Sequence, residues 1–145
     1  MILVFLDFDG VMHPVGCETS RYFCRRDSFE AVMRDHPEVR IVIASTWRQA
    51  YPMAEIKRFF SPDIAERIVG KTPTHEDEDD EHIRYREIRA LLQNPKVAGA
   101  KWIAIDDSGF EFPDGCPNLL LCDSARGFDD QAAKALRARL MQAAG

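Results

Sequence analysis

Basic charge is scarce in this chain. Its 145 residues hold 19 lysines and arginines against 24 aspartates and glutamates, a formal net charge of −5. That balance excludes broad, nonspecific affinity for nucleic acid, which needs an extended basic face, but it leaves room for a local patch around one phosphate. Long apolar runs are also missing. None approaches the roughly 20 residues of a membrane span, so no membrane association is expected. The opening MILVFLDFDG is too short, and too acidic at its end, for a signal sequence, and reads as a first strand. Cysteine is thin: Cys17, Cys24, Cys116 and Cys122 show neither C-x-x-C spacing nor a matching histidine ladder. This argues against a disulfide framework or a zinc site and, with no signal peptide, points to reduced thiols in the cytoplasm. Repeats, low-complexity linkers and shifts of composition are absent too. The expectation is one domain, residues 1–145, of a length that supports a single core.

What the chain does have is carboxylates at the ends of apolar strands. Val4-Phe5-Leu6 runs into Asp7-Phe8-Asp9-Gly10-Val11, two carboxylates one residue apart with a glycine behind them. In an extended strand residues i and i+2 point to the same side, so Asp7 and Asp9 can converge on one small volume. Such a pair repels unless a cation or a shared proton relieves it. A second apolar run, Trp102-Ile103-Ala104-Ile105, ends in Asp106-Asp107. Together they look like the two halves of a divalent-cation site, and oxygen-only donors suit Mg²⁺.

The order of elements places these groups. Ile2 to Leu6 reads as a central parallel strand covered on both faces. Residues of about 12–27 hold Pro14 and Gly16 and read as a flap. Ser28 is the expected N-cap of a helix with Phe29, Val32 and Met33 on one face, ended by His36-Pro37. VRIVIA, residues 39–44, is a second buried strand that finishes in Ser45-Thr46-Trp47-Arg48. A helical pattern spans 53–60, and Ile64 to Val69 is an ambiguous apolar segment. The acidic run from His75 to Glu81 reads as a solvated loop feeding a helix of about 82–93. Strands at Lys101 to Ile105 and Leu119 to Cys122 and a closing helix from Asp129 to Ala144 complete the chain. Strands alternating with helices imply an α/β fold: a three-layer, Rossmann-like arrangement with a mainly parallel sheet flanked by helices. Ligands in such sheets bind beyond the carboxyl ends of the strands, and Asp7/Asp9, Ser45/Thr46 and Asp106/Asp107 all fall there.

These are parts for phosphoryl transfer. A carboxylate can attack phosphorus, a second can protonate the leaving oxygen and then activate water, and a strand-end hydroxyl with backbone N–H groups can hold phosphate oxygens. A cationic side chain balances the charge, and further carboxylates hold metal. A response-regulator receiver domain is a rival on composition, but its acceptor aspartate belongs at the third strand and its lysine late in the chain, an order not found here.

On Asp7-Phe8-Asp9-Gly10-Val11, Ser45 after VRIVIA, and Asp106-Asp107 after WIAI, the sequence resembles the haloacid dehalogenase (HAD) superfamily of phosphohydrolases. The strings STWR, GKTP, Arg84 to Ile88 and IDD resemble, more narrowly, small capless HAD domains associated with RNA-repair proteins. The resemblance covers residues 2 to about 130. It implies an Mg²⁺-dependent phosphomonoesterase with Asp7 as nucleophile and metal ligand, and Asp9 as general acid/base with its backbone carbonyl toward the metal. Ser45 would bind the phosphoryl group, helped by the Thr46 backbone, and Asp106 and Asp107 would complete or orient the metal shell. For the third-motif cation the choice lies among Lys71, Arg84 and Arg86, with Arg84 preferred. The gaps between motifs are short, so no large cap is expected. An open site suits a bulky substrate, such as a phosphorylated nucleic-acid end or a nucleotide, with Arg21, Arg25 and Arg26 of the flap as candidates to meet its phosphates. Arg48 is read evenly as a substrate contact or a rim ion-pair partner, Thr46 and Trp47 as packing before ligand, and His13 as an exposed loop residue. The alternative is a catalytically weak HAD-like domain that binds a protein or nucleic-acid partner.

Overall fold

The computed structural model describes residues 1–75 and 81–145. Five parallel strands form one sheet: β1 (Ile2–Leu6), β2 (Val39–Ile43), β3 (Ile68–Lys71), β4 (Lys101–Asp106) and β5 (Leu119–Leu121), in the order β3-β2-β1-β4-β5. The helices are α1 (Arg26–Asp35), α2 (Trp47–Ala50), α3 (Met53–Lys57), α4 (Pro62–Ala65), α5 (Ile83–Leu91) and α6 (Asp130–Ala144). This is the α/β, Rossmann-like architecture expected. Between β1 and β2 stand only a flap with one 3₁₀ turn (Thr19–Arg21) and α1. Three helices of four or five residues join β2 to β3. Among the described residues no helix is long and apolar enough to cross a membrane.

The apolar run of β1 explains its central place. All five of its side chains are buried, because both faces of a parallel sheet are covered by helices. The two faces alternate along the strand. Ile2, Val4 and Leu6 pack with Phe29, Val32 and Met33 of α1 and with Leu136 and Leu140 of α6. Leu3 and Phe5 pack with Val42, Ala104, Ile88 of α5 and Phe112. β1 pairs with β2 from Ile2↔Val39 to Leu6↔Ile43, and with β4 from Ile2↔Lys101 to Leu6↔Ile105. Extended by one residue, that register sets Asp7 opposite Asp106, and the ladder continues there with Asp7 N–H donating to the Ile105 carbonyl. Strand order reverses at β1, so the crevice between the ends of β1 and β4 is the switch point where a ligand site belongs.

Three local expectations change. The helix read as beginning at Ser28 starts at Arg26, with Ser28 inside it. The ambiguous segment from Ile64 divides into α4 and the edge strand β3; only Ile68 of that strand is buried, which removes the alternation that marks a strand in sequence. The acidic run read as a solvated loop lies, at 76–80, outside the described residues.

Candidate active site

The DFDG segment turns as it leaves β1. Val11 and Met12 N–H groups both donate to the Phe8 carbonyl, and Gly10 N–H donates to the His13 carbonyl. Gly10 has φ +77°, a conformation that costs glycine little and other residues much. A Cβ there would also run into the Asp107 carboxylate, so the bare glycine is what lets that carboxylate approach the loop.

Asp7, Asp106 and Asp107 each present an oxygen within 4.8 Å of the others. Asp7 is 5% exposed and Asp106 2%. Arg84 Nη1 lies 2.6 Å from Asp106 Oδ2 and 3.2 Å from Asp7 Oδ1. Two of the three clustered carboxylates thus contact the Arg84 guanidinium. Burial first, then the charge of Asp106, holds the Asp7 carboxyl well above the usual carboxylate range, against the opposing pull of Arg84. Burial likewise raises Asp106, although Arg84 and the Ser108 N–H favour its charged form. For Arg84, burial acts to lower the pKa, but the Asp7 and Asp106 charges outweigh it and the group is held firmly protonated. An all-oxygen donor set with excess negative charge fits a hard divalent cation such as Mg²⁺. Asp7, Asp106 and Asp107 are the side chains that would hold it.

Their supports come from neighbouring loops. Ser108 N–H donates to Asp106 Oδ1 at 2.9 Å, and Ser124 Oγ donates to Asp107 Oδ2 at 2.9 Å. Glu111 accepts from the Arg84 backbone N–H at 3.1 Å, at the start of α5, which helps to aim Arg84 across the crevice. Of the three candidate cations, Arg84 is the one brought to the carboxylates. Arg86 is exposed and donates to the Glu81 carbonyl, and Lys71 is exposed at the end of β3.

Asp9 stands apart from this cluster. Its side chain is 53% exposed, accepting from His13 Nε2 at 2.8 Å and from Trp47 Nε1 at 3.0 Å. Sequence reading missed both donors. His13 is buried at 1% exposure rather than exposed. Its Nδ1 accepts from the Phe23 N–H at 3.3 Å, so the tautomer with hydrogen on Nε2 is the one that serves both contacts. The tight turn after Phe8 folds His13 back beside Asp9, a proximity that four residues of linear separation do not advertise.

Ser45 is fully buried at the end of β2, and its Oγ accepts from the Trp47 N–H at 3.2 Å, a turn-capping bond. Thr46 is exposed beside it, at the start of α2. Arg48 departs furthest from the reading as a substrate contact. It is 4% exposed and binds Glu87 Oε2 at 2.7 Å and the carbonyls of Ser45, Thr72 and Pro73. Its guanidinium is thereby occupied in tying α2 to α5 and to the segment after β3. In the flap, Arg21 is exposed and Arg25 donates to the Arg126 carbonyl, while Arg26, the first residue of α1, donates to the Phe59 carbonyl.

A buried carboxylate, two further carboxylates fit for a cation, a bridging arginine and a more exposed carboxylate are parts that phosphoryl transfer can use. No curated protein and no solved structure matches the chain. Residues 3–133 match the family model described as the HAD domain in Swiss Army Knife RNA repair proteins. That match spans nearly the whole sequence, and the chain belongs to this HAD-superfamily family.

Proposed function

We propose that this HAD domain is an Mg²⁺-dependent phosphomonoesterase acting through an aspartyl-phosphate, on a phosphorylated nucleic-acid end or nucleotide. The observation that carries this reading is the convergence of Asp7, Asp106 and Asp107 with Arg84 at the switch point of the sheet. The association with RNA repair in the family's description supports the substrate class. Four unpaired cysteines fit a reducing compartment such as the cytoplasm.

In the first half-reaction a carboxylate oxygen of Asp7 attacks phosphorus as the ester oxygen leaves, and the leaving oxygen takes a proton from Asp9. In the second, Asp9 takes a proton from water, which attacks the aspartyl-phosphate, freeing phosphate and restoring Asp7. A divalent cation held by Asp7, Asp106 and Asp107 would supply positive charge against the phosphoryl oxygens. Arg84 pulls the Asp7 carboxyl toward its charged form, against the burial that raises it, and bridges it to Asp106. The Ser45 hydroxyl and the Thr46 backbone N–H would donate to phosphoryl oxygens. Arg48 acts indirectly, by fixing the Ser45 carbonyl and the turn that carries Thr46.

The first test is phosphate release from an aryl phosphate with and without Mg²⁺, comparing wild type with Asp7→Asn. Release that needs Mg²⁺ and falls to background in Asp7→Asn is expected, because the substitution removes the nucleophilic oxygen with little change of shape. Wild-type rates in Asp7→Asn would overturn the covalent mechanism.

A further inference from the structure

The proposed reaction leaves a group of aromatic rings at the rim of the crevice without a task. Tyr22 and Tyr51 are 42% and 39% exposed, and they flank Trp47 at centroid distances of 5.6 and 5.5 Å. Tyr22 lies flat on His13, 4.5 Å between centroids with 17° between planes. Below them Phe59 packs edge-on against Trp47 at 5.6 Å. Burial of the rings underneath explains the packing, but it does not explain why two large aromatic side chains stay open to solvent on either side of Trp47. Their position does point to a use. The Nε1–H of Trp47 and the Nε2–H of His13 both end on the Asp9 carboxylate, so this shelf is bolted to the carboxylate assigned to the leaving group.

Resting on the phosphatase reading, we propose that Tyr22, Trp47 and Tyr51 form a stacking shelf for the unpaired terminal base of a phosphorylated single-stranded nucleic-acid end. Each base offers a π-face, so stacking on aromatic side chains gives affinity without sequence preference. A base inside a duplex has both faces covered by neighbours, which selects for frayed or single-stranded ends. The charge of the chain agrees. With a net charge of −5 it lacks the means to grip a long phosphate backbone, so binding must rest on the end itself. Arg21 is exposed, precedes Tyr22 and makes no side-chain hydrogen bond or ion pair among the described residues, which leaves one cation for the adjoining phosphate.

The test uses short single-stranded oligonucleotides with a terminal phosphate, the terminal nucleoside either intact or abasic, in 3′- and 5′-phosphorylated forms. Binding is read by fluorescence anisotropy with Mg²⁺ present, in the Asp7→Asn background so that the phosphate persists. The intact end should bind about tenfold or more tightly than the abasic end, the usual worth of one stacked base. Tyr22→Leu and Tyr51→Leu should each shrink that ratio toward one, and Tyr22→Phe should keep it. Affinity should change little between low and moderate salt, as for contact with one or two phosphates. Competition by a nucleoside monophosphate as strong as by the oligonucleotide would support the shelf and assign it to free nucleotides. Equal affinity for intact and abasic ends, or Tyr22→Leu weakening both alike, would overturn it. The hydrolytic reading is judged separately by wild-type phosphate release. Discrimination of intact from abasic ends without release upholds the shelf and removes the hydrolysis, and release at equal kcat/KM from intact ends, abasic ends and glycerol phosphate does the reverse.

Discussion

At the scale of single residues, His13 decides how Asp9 is presented. A buried imidazole normally has both nitrogens satisfied, and here one accepts from the flap backbone while the other donates to Asp9. With Trp47 on the second oxygen, the carboxyl plane is fixed, and the outer lone pairs remain for a leaving group or water. His13 touches no reacting atom in the proposed reaction, so it is a positioning residue. His13→Ala should lower kcat by roughly tenfold, a part of the hundredfold or more that general acid–base catalysis supplies. KM should hardly change, and the loss should be larger for poor leaving groups, which need the proton most. His13→Gln should recover much of the rate, since its amide N–H can reach Asp9. Steady-state kinetics on phosphates of graded leaving-group pKa check this; an equal loss for good and poor leaving groups would break the link to Asp9. Much of this scale was legible in the chain. Asp7, Asp106 and Asp107 announce themselves because each closes an apolar run, and run ends in a parallel sheet share one rim. His13, Ser124 and Glu111 did not, because their places depend on turns and loops that no periodicity encodes. Arg48, which follows a strand end, is read evenly as a substrate contact or an ion-pair partner, and Glu87 and the surrounding carbonyls capture its guanidinium.

At the scale of elements, two joints stand out, one at the site and one on the surface. The first is the turn after β1, where Gly10 makes room for Asp107. Gly10→Ala places a side chain in a left-handed conformation, at a cost of about 1–3 kcal/mol, and pushes the Asp107 carboxylate aside. It should therefore weaken Mg²⁺ binding as well as stability, and calorimetric titration beside urea melts separates the two. Unchanged Mg²⁺ affinity would mean that Asp107 is dispensable to the cation. The second joint staples α1 to α4. Arg34 donates to both oxygens of Asp63, at 2.9 and 3.1 Å. The hydrogen bond from Arg34 holds the Asp63 carboxyl below the usual carboxylate range. The folded pKa is depressed, so the stability it contributes is present above the unfolded value of about 3.9 and fades as pH falls through the folded value. Asp63→Asn should lower the urea midpoint slightly at pH 7 and match wild type near pH 2; a difference that persists in acid would assign the effect to packing. The strands β1, β2 and β4 could be read from their apolar runs. The helical pattern at 53–60 likewise surfaces as α3, but the edge strand β3 and the short helices α2 and α4 could not be read, because elements of four residues show too little of either period.

At the scale of the whole molecule, the sheet acts as a scaffold that forces like charges together. Registered pairing of β1 with β4 leaves Asp7 beside Asp106 once the apolar ladder is made, so burial of the core opposes the repulsion among the carboxylates. Arg84 offsets part of that repulsion, and a divalent cation is the natural source of the remainder. The folded protein without cation should consequently be less stable than its core permits, and Mg²⁺ should raise its Tm by mass action, through a stabilisation of about 2.7 kcal/mol at a concentration a hundredfold above Kd. General screening of a chain with 24 acidic residues could imitate this, so the control is NaCl at matched ionic strength, which should stabilise far less. Asp106→Asn removes one of the opposed charges while keeping an oxygen for the Ser108 N–H. Without Mg²⁺ this variant should melt no lower than wild type, and with Mg²⁺ it should gain much less, so that the two melting curves change order as the cation is added. Parallel responses of wild type and Asp106→Asn to Mg²⁺ would show that the cation binds elsewhere, and would remove the electrostatic reason for a buried carboxylate cluster at the centre of this fold.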